Sequence, residues 1–348
     1  MSEDYLAALE QKKREKYLVG ETNDQLEALN QKIRQRGLFA FWMRPDPPPT
    51  PEPRVTHFKD VYPLLLEAAD VVSLEMTERR LVGGYQIVMP GEQAPAHRHT
   101  MSAMRLIVQG DGSAYTTCNG EKMLMEPGDL LVQPNWGWHD HSNPGTEPVV
   151  WMDMLDNQLV TLLGAEFWED WPDREDGGLA VQPIAHGQGF HGQVYGSARP
   201  PRLIGSQDPL VPFTYKFRDT LPVLERMAAE EDDDPYDGVI LEYANPVTGG
   251  HTLPTMGARI QMLRPGEATR PHRHTGAVRY LVVGGRGVTT LDLQSPKELE
   301  WEDHDQFTVP TWRWHQHRNL SKSEPAFLFT IGDYPLTEAV GLYREEKA

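Results

Sequence analysis

APAHRHTMSAMRLIVQGDG, residues Ala94 to Gly112, sets two histidines one residue apart, His97 and His99, just ahead of an apolar run. In a β-strand, residues i and i+2 point to the same face, so the two imidazoles project together. Such a pair invites a metal, but it equally suits exposed polar residues or hydrogen-bonded core histidines. The rest of the chain separates these readings. HRHTMSAMRLIVQGDG, from His97, is matched by HRHTGAVRYLVVGGRG, from His272. PNWGWHDHSN, from Pro134, is matched by PTWRWHQHRN, from Pro310. His97 and His272 are 175 positions apart, and His139 and His315 are 176 apart. Two signatures in the same order at matching offsets identify an internal duplication.

The duplicated block is built for strands. YQIVMPGE, MRLIVQGDG, AYTTCNGE, GDLLVQP and PVVWMDML are short β-branched and aromatic runs bounded by Gly, Pro, Asn and Asp, the pattern of an all-β sandwich or barrel. Asn-Gly in CNGE, Cys118 to Glu121, supplies the positive φ angles of a type I′ hairpin turn. Upstream the pattern is different. From Glu3 to Arg36, Leu6, Leu9, Leu26, Leu29 and Ile33 recur at helical spacing, with a break at Gly20 to Asn23 where Thr22 or Asn23 can cap a second helix. PDPPPTPEPR, Pro45 to Arg54, reads as an extended connector, and Val55 to Val72 as a short helix. The expected organisation is a helical extension with a Pro-rich connector over 1–72, a first β domain over 73–205 that carries the chemistry, and a second over 206–348.

Charge narrows the function classes. The 348 residues carry a formal net charge of −18, which disfavours nucleic acid, because phosphate neutralisation needs concentrated Lys and Arg. An anionic substrate therefore requires local arginines. No apolar run approaches the ~18–20 residues of a membrane span, so no membrane association is expected. The charged start lacks a signal-peptide apolar region, and Cys118 is the single cysteine; both point to the cytoplasm. Cys118, beside its hairpin turn, is expected to be inert. Glu230 to Pro235, EEDDDP, reads as a solvated loop without a spaced calcium pattern.

A third and a fourth histidine come in W-x-W-H-x-H: His139 and His141, then His315 and His317. An H-x-H strand plus one histidine from a facing strand is a rigid three-ligand set, and the fourth, two residues on, faces the same way. The spacing of Gly91, His97, His99, Gly128, Pro134, His139 and Asn143 resembles the two motifs of the cupin superfamily. Gly266, His272, His274, Pro310, His315 and Asn319 repeat it. Two departures stand out. Ala103 occupies the place of the usual Glu ligand, and His304 that of the second copy's motif Gly. Three neutral imidazoles without the carboxylate leave octahedral positions open, as suits a ferrous ion that meets dioxygen and a chelating substrate.

HRHT-x-SA-x-R, P-x-W-x-WHDH and the following WMDMLD together resemble the gentisate 1,2-dioxygenase family, with its salicylate and 1-hydroxy-2-naphthoate ring-cleaving relatives. The resemblance runs from about Leu81 to the C-terminus. It implies a bicupin of two double-stranded β-helix barrels and Fe(II) on His97, His99 and His139. It also implies cleavage of the ring between the carboxyl- and hydroxyl-bearing carbons of a 2-hydroxybenzoate. Arg105, six residues past His99 and so on the same face of a regular strand, would meet the substrate carboxylate or the reduced dioxygen. His141 would exchange a proton with bound oxygen or phenol, Gln86 would contact substrate, and Asp153 would orient a histidine. Trp136 and Trp138 are expected in the core or the pocket wall. A homotetramer is the expected assembly, the amphipathic N-terminal helices needing cover.

TERRLVGGYQ runs without the Gly-rich segment that relatives carry before the Gln86 strand, which leaves Arg79 and Arg80 unplaced. Val82 stands where a relative has an aromatic. A 5-substituted salicylate, salicylate or a hydroxynaphthoate is therefore the near alternative to gentisate. In the second copy Gly284 follows His274 one residue sooner than Gly110 follows His99, so Arg279, five residues past His274, points to the other face. Catalysis is accordingly expected in the first half. A manganese oxalate-type decarboxylase is disfavoured by Ala103, and a non-enzymatic ligand-binding bicupin by the retention of both histidine sets.

Overall fold

The computed structural model describes residues 23–36, 38, 40, 43, 53–71, 80–81, 84–172, 181–185, 211–230 and 233–348. The chain forms two compact units. One comprises Met1–Pro49, Lys59–Gly192 and Pro212–Thr214, the other Thr50–Phe58, Gln193–Val211 and Tyr215–Ala348. Each is an antiparallel two-sheet barrel. In the first, a six-stranded sheet runs in the order Phe213–Tyr215, Leu130–Gln133, Ala103–Gln109, Val149–Leu155, Tyr85–Val88, Arg80–Leu81. Its five-stranded partner runs Trp168–Asp170, Gln93–His99, His139–Ser142, Tyr115–Cys118, Glu121–Leu124. The second barrel repeats this with Val55–Thr56, Gln306–Val309, Val278–Gly284, Ala326–Gly332, Gly257–Leu263, Val239–Glu242 in one sheet. The other holds Lys297–Trp301, Gly287–Leu291, His315–Asn319, His272–His274, Glu345–Lys347.

Alternation explains the cores. Val88, Ile107, Leu131, Val149 and Trp151 meet Cys118 and Met123 inside the first barrel; Leu263, Tyr280, Val282, Phe307, Val309 and Leu328 meet Leu291 and Trp301 inside the second. Burial of such side chains contributes roughly 1.5–3 kcal/mol each. The Asn119-Gly120 turn has φ values of 49° and 82°, the type I′ geometry, between paired strands Tyr115–Cys118 and Glu121–Leu124. His304 takes φ 66° where Gly128 takes φ 85°, so a histidine occupies the left-handed corner of the second copy. Its ring packs edge-on to Phe58 at 5.3 Å. Short polar side chains tolerate this region better than branched ones.

One upstream reading needs correction. Val55 and Thr56 do not start a helix. They pair with Phe307 and Gln306 as an edge strand of the second barrel, and the helix begins at Phe58. His57 and the Phe58 amide are held by Asp305, at 2.7 and 2.8 Å. The helix Asn23–Gln35 begins where the GETN break placed a cap, and Leu29 and Ile33 are buried. The helical reading of residues 3–22 and the connector at 45–52 lie outside the described residues.

Candidate metal centre

His97, His99 and His139 meet inside the first barrel, with one ligand atom of each within 4.8 Å of the others. Their ring centroids are 4.2, 4.8 and 5.8 Å apart. Cα pairing of His97 with His139, and of His139 with Cys118, puts all of these residues on the inward face of one sheet. The strand that delivers His139 is fixed by the W-x-W turn. Trp136 takes φ 55° and its amide donates to the His99 carbonyl at 2.8 Å. Trp312 does the same to His274, with φ 62° and 2.8 Å. The two tryptophans are not pocket wall. Arg98, between the two histidines and so on the outward face, lies 4.4 and 4.5 Å from the rings of Trp136 and Trp138. Arg273 repeats this over Trp312 and Trp314.

The imidazoles are prepared as neutral ligands. Nδ1 of His97, His99 and His139 lies 3.1, 2.8 and 2.9 Å from the carbonyls of Pro95, Met101 and Gly137. A carbonyl only accepts, so Nδ1–H donation by His97 and His99 leaves Nε2 with its lone pair for a metal; Nδ1 of His139 lies between the Gly137 carbonyl and the Gln133 side-chain amide. Burial, then the neighbouring His97 and His99, then the Arg105 charge, hold His139 well below the ordinary histidine range. The buried Nε2 of His139 has no hydrogen-bond partner among the described residues. An orphaned buried nitrogen facing two other imidazoles fits a divalent metal. Ala103 is fully buried, and no carboxylate belongs to this cluster among the described residues.

Arg105 is buried on the facing sheet, with Asp153 and Leu131 as its cross-strand neighbours. Arg105 does not share a strand with His99: Thr100 to Ser102 interrupt the strand, and His99 and Arg105 belong to opposed sheets. Both reach the interior because the sheets face each other. Asp153 is the partner of Arg105, Oδ1 to Nε at 3.4 Å. Arg105 Nη1 donates to Gln133 Oε1, and Gln133 Nε2 lies 2.8 Å from His139 Nδ1. Gln133 thus joins the arginine to a triad histidine. Sequence reasoning passed over it, although a glutamine facing inward beside Pro134 is a legible signal. Arg105 Nη2 has no hydrogen-bond partner among the described residues. His141 is buried, its Nδ1 2.9 Å from Thr116 Oγ1 and its ring 5.0 Å from Trp151. Gln86 is buried opposite Trp151, with Oε1 unpartnered among the described residues. Arg80 pairs with Gln86 through its backbone, and Arg79 lies outside the described residues.

A covering strand was also missed. Trp168–Asp170 pairs with His99–His97, and Trp168 stacks on His97 at 4.3 Å and 13°. Glu345–Lys347 covers His274–His272 in the same register. The signal existed: Asp156, Leu159, Gly164 and Glu169 recur as Asp333, Leu336, Gly341 and Glu346, 177 positions on.

The second copy assembles His272, His274 and His315 equally closely. Its register corrects the apparent gap. Arg105 pairs with Leu131 and Asp153, and Tyr280 with Phe307 and Thr330, so Tyr280 occupies the arginine's place and Arg279 that of Met104. No residue is missing; the counterpart of Gly110 is Gly285, and both have positive φ. Arg279 is off the inward face, as expected, by alternation.

The cupin domain model matches residues 84–155 and 259–332. A 5-aminosalicylate 1,2-dioxygenase of Comamonas is 33% identical, over 92% of this chain and 90% of its own length. A gentisate 1,2-dioxygenase of Haloferax is 37% identical over 75% and 73%. Among solved structures, a salicylate 1,2-dioxygenase of Pseudoaminobacter salicylatoxidans with gentisate is 25% identical, with TM-score 0.73, covering 94% of this chain and 95% of that one. Duplicated barrels, a carboxylate-free histidine triad and full-length likeness coincide, and the chain belongs to the bicupin gentisate and salicylate 1,2-dioxygenase family.

Proposed function

We propose that the first barrel cleaves a 2-hydroxybenzoate, gentisate first, with iron(II) held by His97, His99 and His139. The observation that carries this reading is the pairing of a histidine triad, carboxylate-free among the described residues, with a buried arginine whose Nη2 has no hydrogen-bond partner among them. Iron(II), when bound, supplies open positions where an ortho hydroxyl–carboxylate pair and dioxygen meet, for insertion of both oxygen atoms between the two substituted carbons.

The chain's own groups do the rest. Arg105 Nη2 donates to the substrate carboxylate, a charge-assisted bond in a buried site. Asp153 and Gln133 hold the guanidinium in place, so little is reorganised on binding. His141, steadied by Thr116, takes the proton of the substrate hydroxyl as it ligates. Gln86 contacts the ring substituents from the adjacent strand. A 5-substituted salicylate is the second reading, supported by the 5-aminosalicylate relative that spans most of the chain. The reading includes a homotetramer in the cytoplasm; among the described residues no helix is long and apolar enough to cross a membrane.

The test is anaerobic Fe(II) reconstitution followed by oxygen uptake with gentisate, salicylate and 5-substituted salicylates side by side. Uptake with one of these rings, abolished in His99→Ala, is expected. Bound iron with no uptake on any ring would remove the ring-cleavage reading.

A further inference from the structure

Alternate residues of the HRHT run do different things. His97 and His99 face the barrel interior, whereas Arg98 and Thr100 fasten the strand that covers them. Arg98 lies against the rings of Trp136 and Trp138, and its Nε donates to Glu169 Oε2 at 2.8 Å, with Nη2 on the same oxygen. Thr100 is bonded to the covering chain from both its backbone and its side chain. Its amide donates to the Phe167 carbonyl at 3.1 Å and its hydroxyl to the Ala165 carbonyl at 2.7 Å, while the hydroxyl oxygen accepts the Phe167 amide at 3.0 Å. The Trp171 amide closes the other end of the strand on the Ala96 carbonyl at 2.9 Å.

The second barrel repeats this fastening with the same atoms. Arg273 lies against Trp312 and Trp314 and donates from Nε to Glu346 Oε2 at 2.8 Å. Thr275 Oγ1 donates to the Leu342 carbonyl at 3.0 Å and accepts the Arg344 amide at 2.8 Å, and the Thr275 amide donates to the Arg344 carbonyl at 2.9 Å. What the fastened strand presents is different. Trp168 pairs with His99 and its indole stacks on His97, whereas Glu345 stands in that place opposite His274. The fastening is therefore a property of the strand and not of the residue it presents. Trp168 is 53% exposed, so burial alone does not hold its ring. Its Nε1 donates to Asp170 Oδ1 at 2.8 Å, within the same strand. Its place on His97 follows from how firmly that strand is held.

We propose that Arg98 and Thr100 are positioning residues for the first triad: by fastening the strand that carries Trp168, they hold the indole on His97 and slow release of the metal. The hold on the metal rests on the metal reading of the first triad; the fastening does not. Two readouts on the full chain separate them. Amide hydrogen exchange of the Phe167–Trp171 segment is followed without metal. Release of Co(II) to a chelator is followed in the His274→Ala background, so that the intact triad alone is read. Thr100→Val keeps the shape and loses the hydroxyl, and Thr100→Ser keeps the hydroxyl. Thr100→Val and Arg98→Met are expected to speed both exchange and Co(II) release about three- to tenfold, with an unchanged far-UV circular dichroism spectrum. Thr100→Ser should match the wild type in both. Trp168→Ala should speed release and leave the Trp171 amide as slow as before. Wild-type exchange in both Thr100→Val and Arg98→Met would overturn the fastening. Faster exchange with unchanged release would overturn the hold on the metal. No Co(II) uptake in the His274→Ala background would overturn that hold together with the metal reading, and exchange would still decide the fastening. Glu169→Gln, at an exposed position, replaces Arg98→Met if the latter does not fold.

Discussion

Arg105 is the residue on which the proposed function leans most. A guanidinium sealed from water must have its donors met, and Asp153 and Gln133 meet only part of them. In the proposed reaction a substrate carboxylate would complete the set. Losing a hydrogen bond to a charged group costs about 1.5–3 kcal/mol, so Arg105→Gln is expected to lower kcat/KM about ten- to a hundredfold. Steady-state kinetics on the accepted ring, at an unchanged iron content, checks this; a loss below twofold would contradict the role. Cys118 is the opposite case. Burial pushes its thiol up to about 12, so it carries almost no thiolate near neutral pH. Iodoacetamide should leave the native protein unlabelled until denaturant is added, and native labelling would refute the assignment.

At the scale of elements, Gly84 is the tightest junction in the first barrel. It has φ +91°, its carbonyl accepts the Asp153 amide at 2.7 Å, and a Cβ would overlap the Asp153 carbonyl oxygen. Gly84→Ala is therefore expected to lower Tm by several degrees and to impair binding by displacing the partner of Arg105. A stable variant with wild-type KM would contradict the junction. The GGYQ run thus has a structural reason that the sequence alone does not display. Much else was legible. Alternation and Asn-Gly placed the hairpin, and the H-x-H and W-x-W-H-x-H repeats placed the triads, because these features depend on local periodicity. Val55–Thr56 was misread because a two-residue edge strand is chosen by its partner, Gln306–Phe307, and not by its own neighbours. Gln133 was missed because its importance lies in contacts with residues distant in sequence.

For the whole molecule, the buried histidines set a pH dependence. Burial lowers His139, His315 and His317, the last to about 3. A histidine depressed in the folded state takes up its proton first in the unfolded chain, so folding is favoured by higher pH. The metal-free protein should hold its full stability above about pH 6.5, the unperturbed histidine value, and lose it progressively as pH falls toward 3. Urea midpoints across this range check the sign; a midpoint that rises on acidification would contradict it. Duplication gives two triads with different surroundings, and the proposed ring cleavage belongs to the first.

The most direct test of that claim is a single turnover of the Fe(II)-reconstituted protein with gentisate under doubly labelled dioxygen, run for wild type, His99→Ala and His274→Ala. A ring-opened product carrying both labelled atoms is expected from wild type and His274→Ala, and none from His99→Ala. Product formation that survives His99→Ala but is lost in His274→Ala, or a product with one labelled atom, would contradict it.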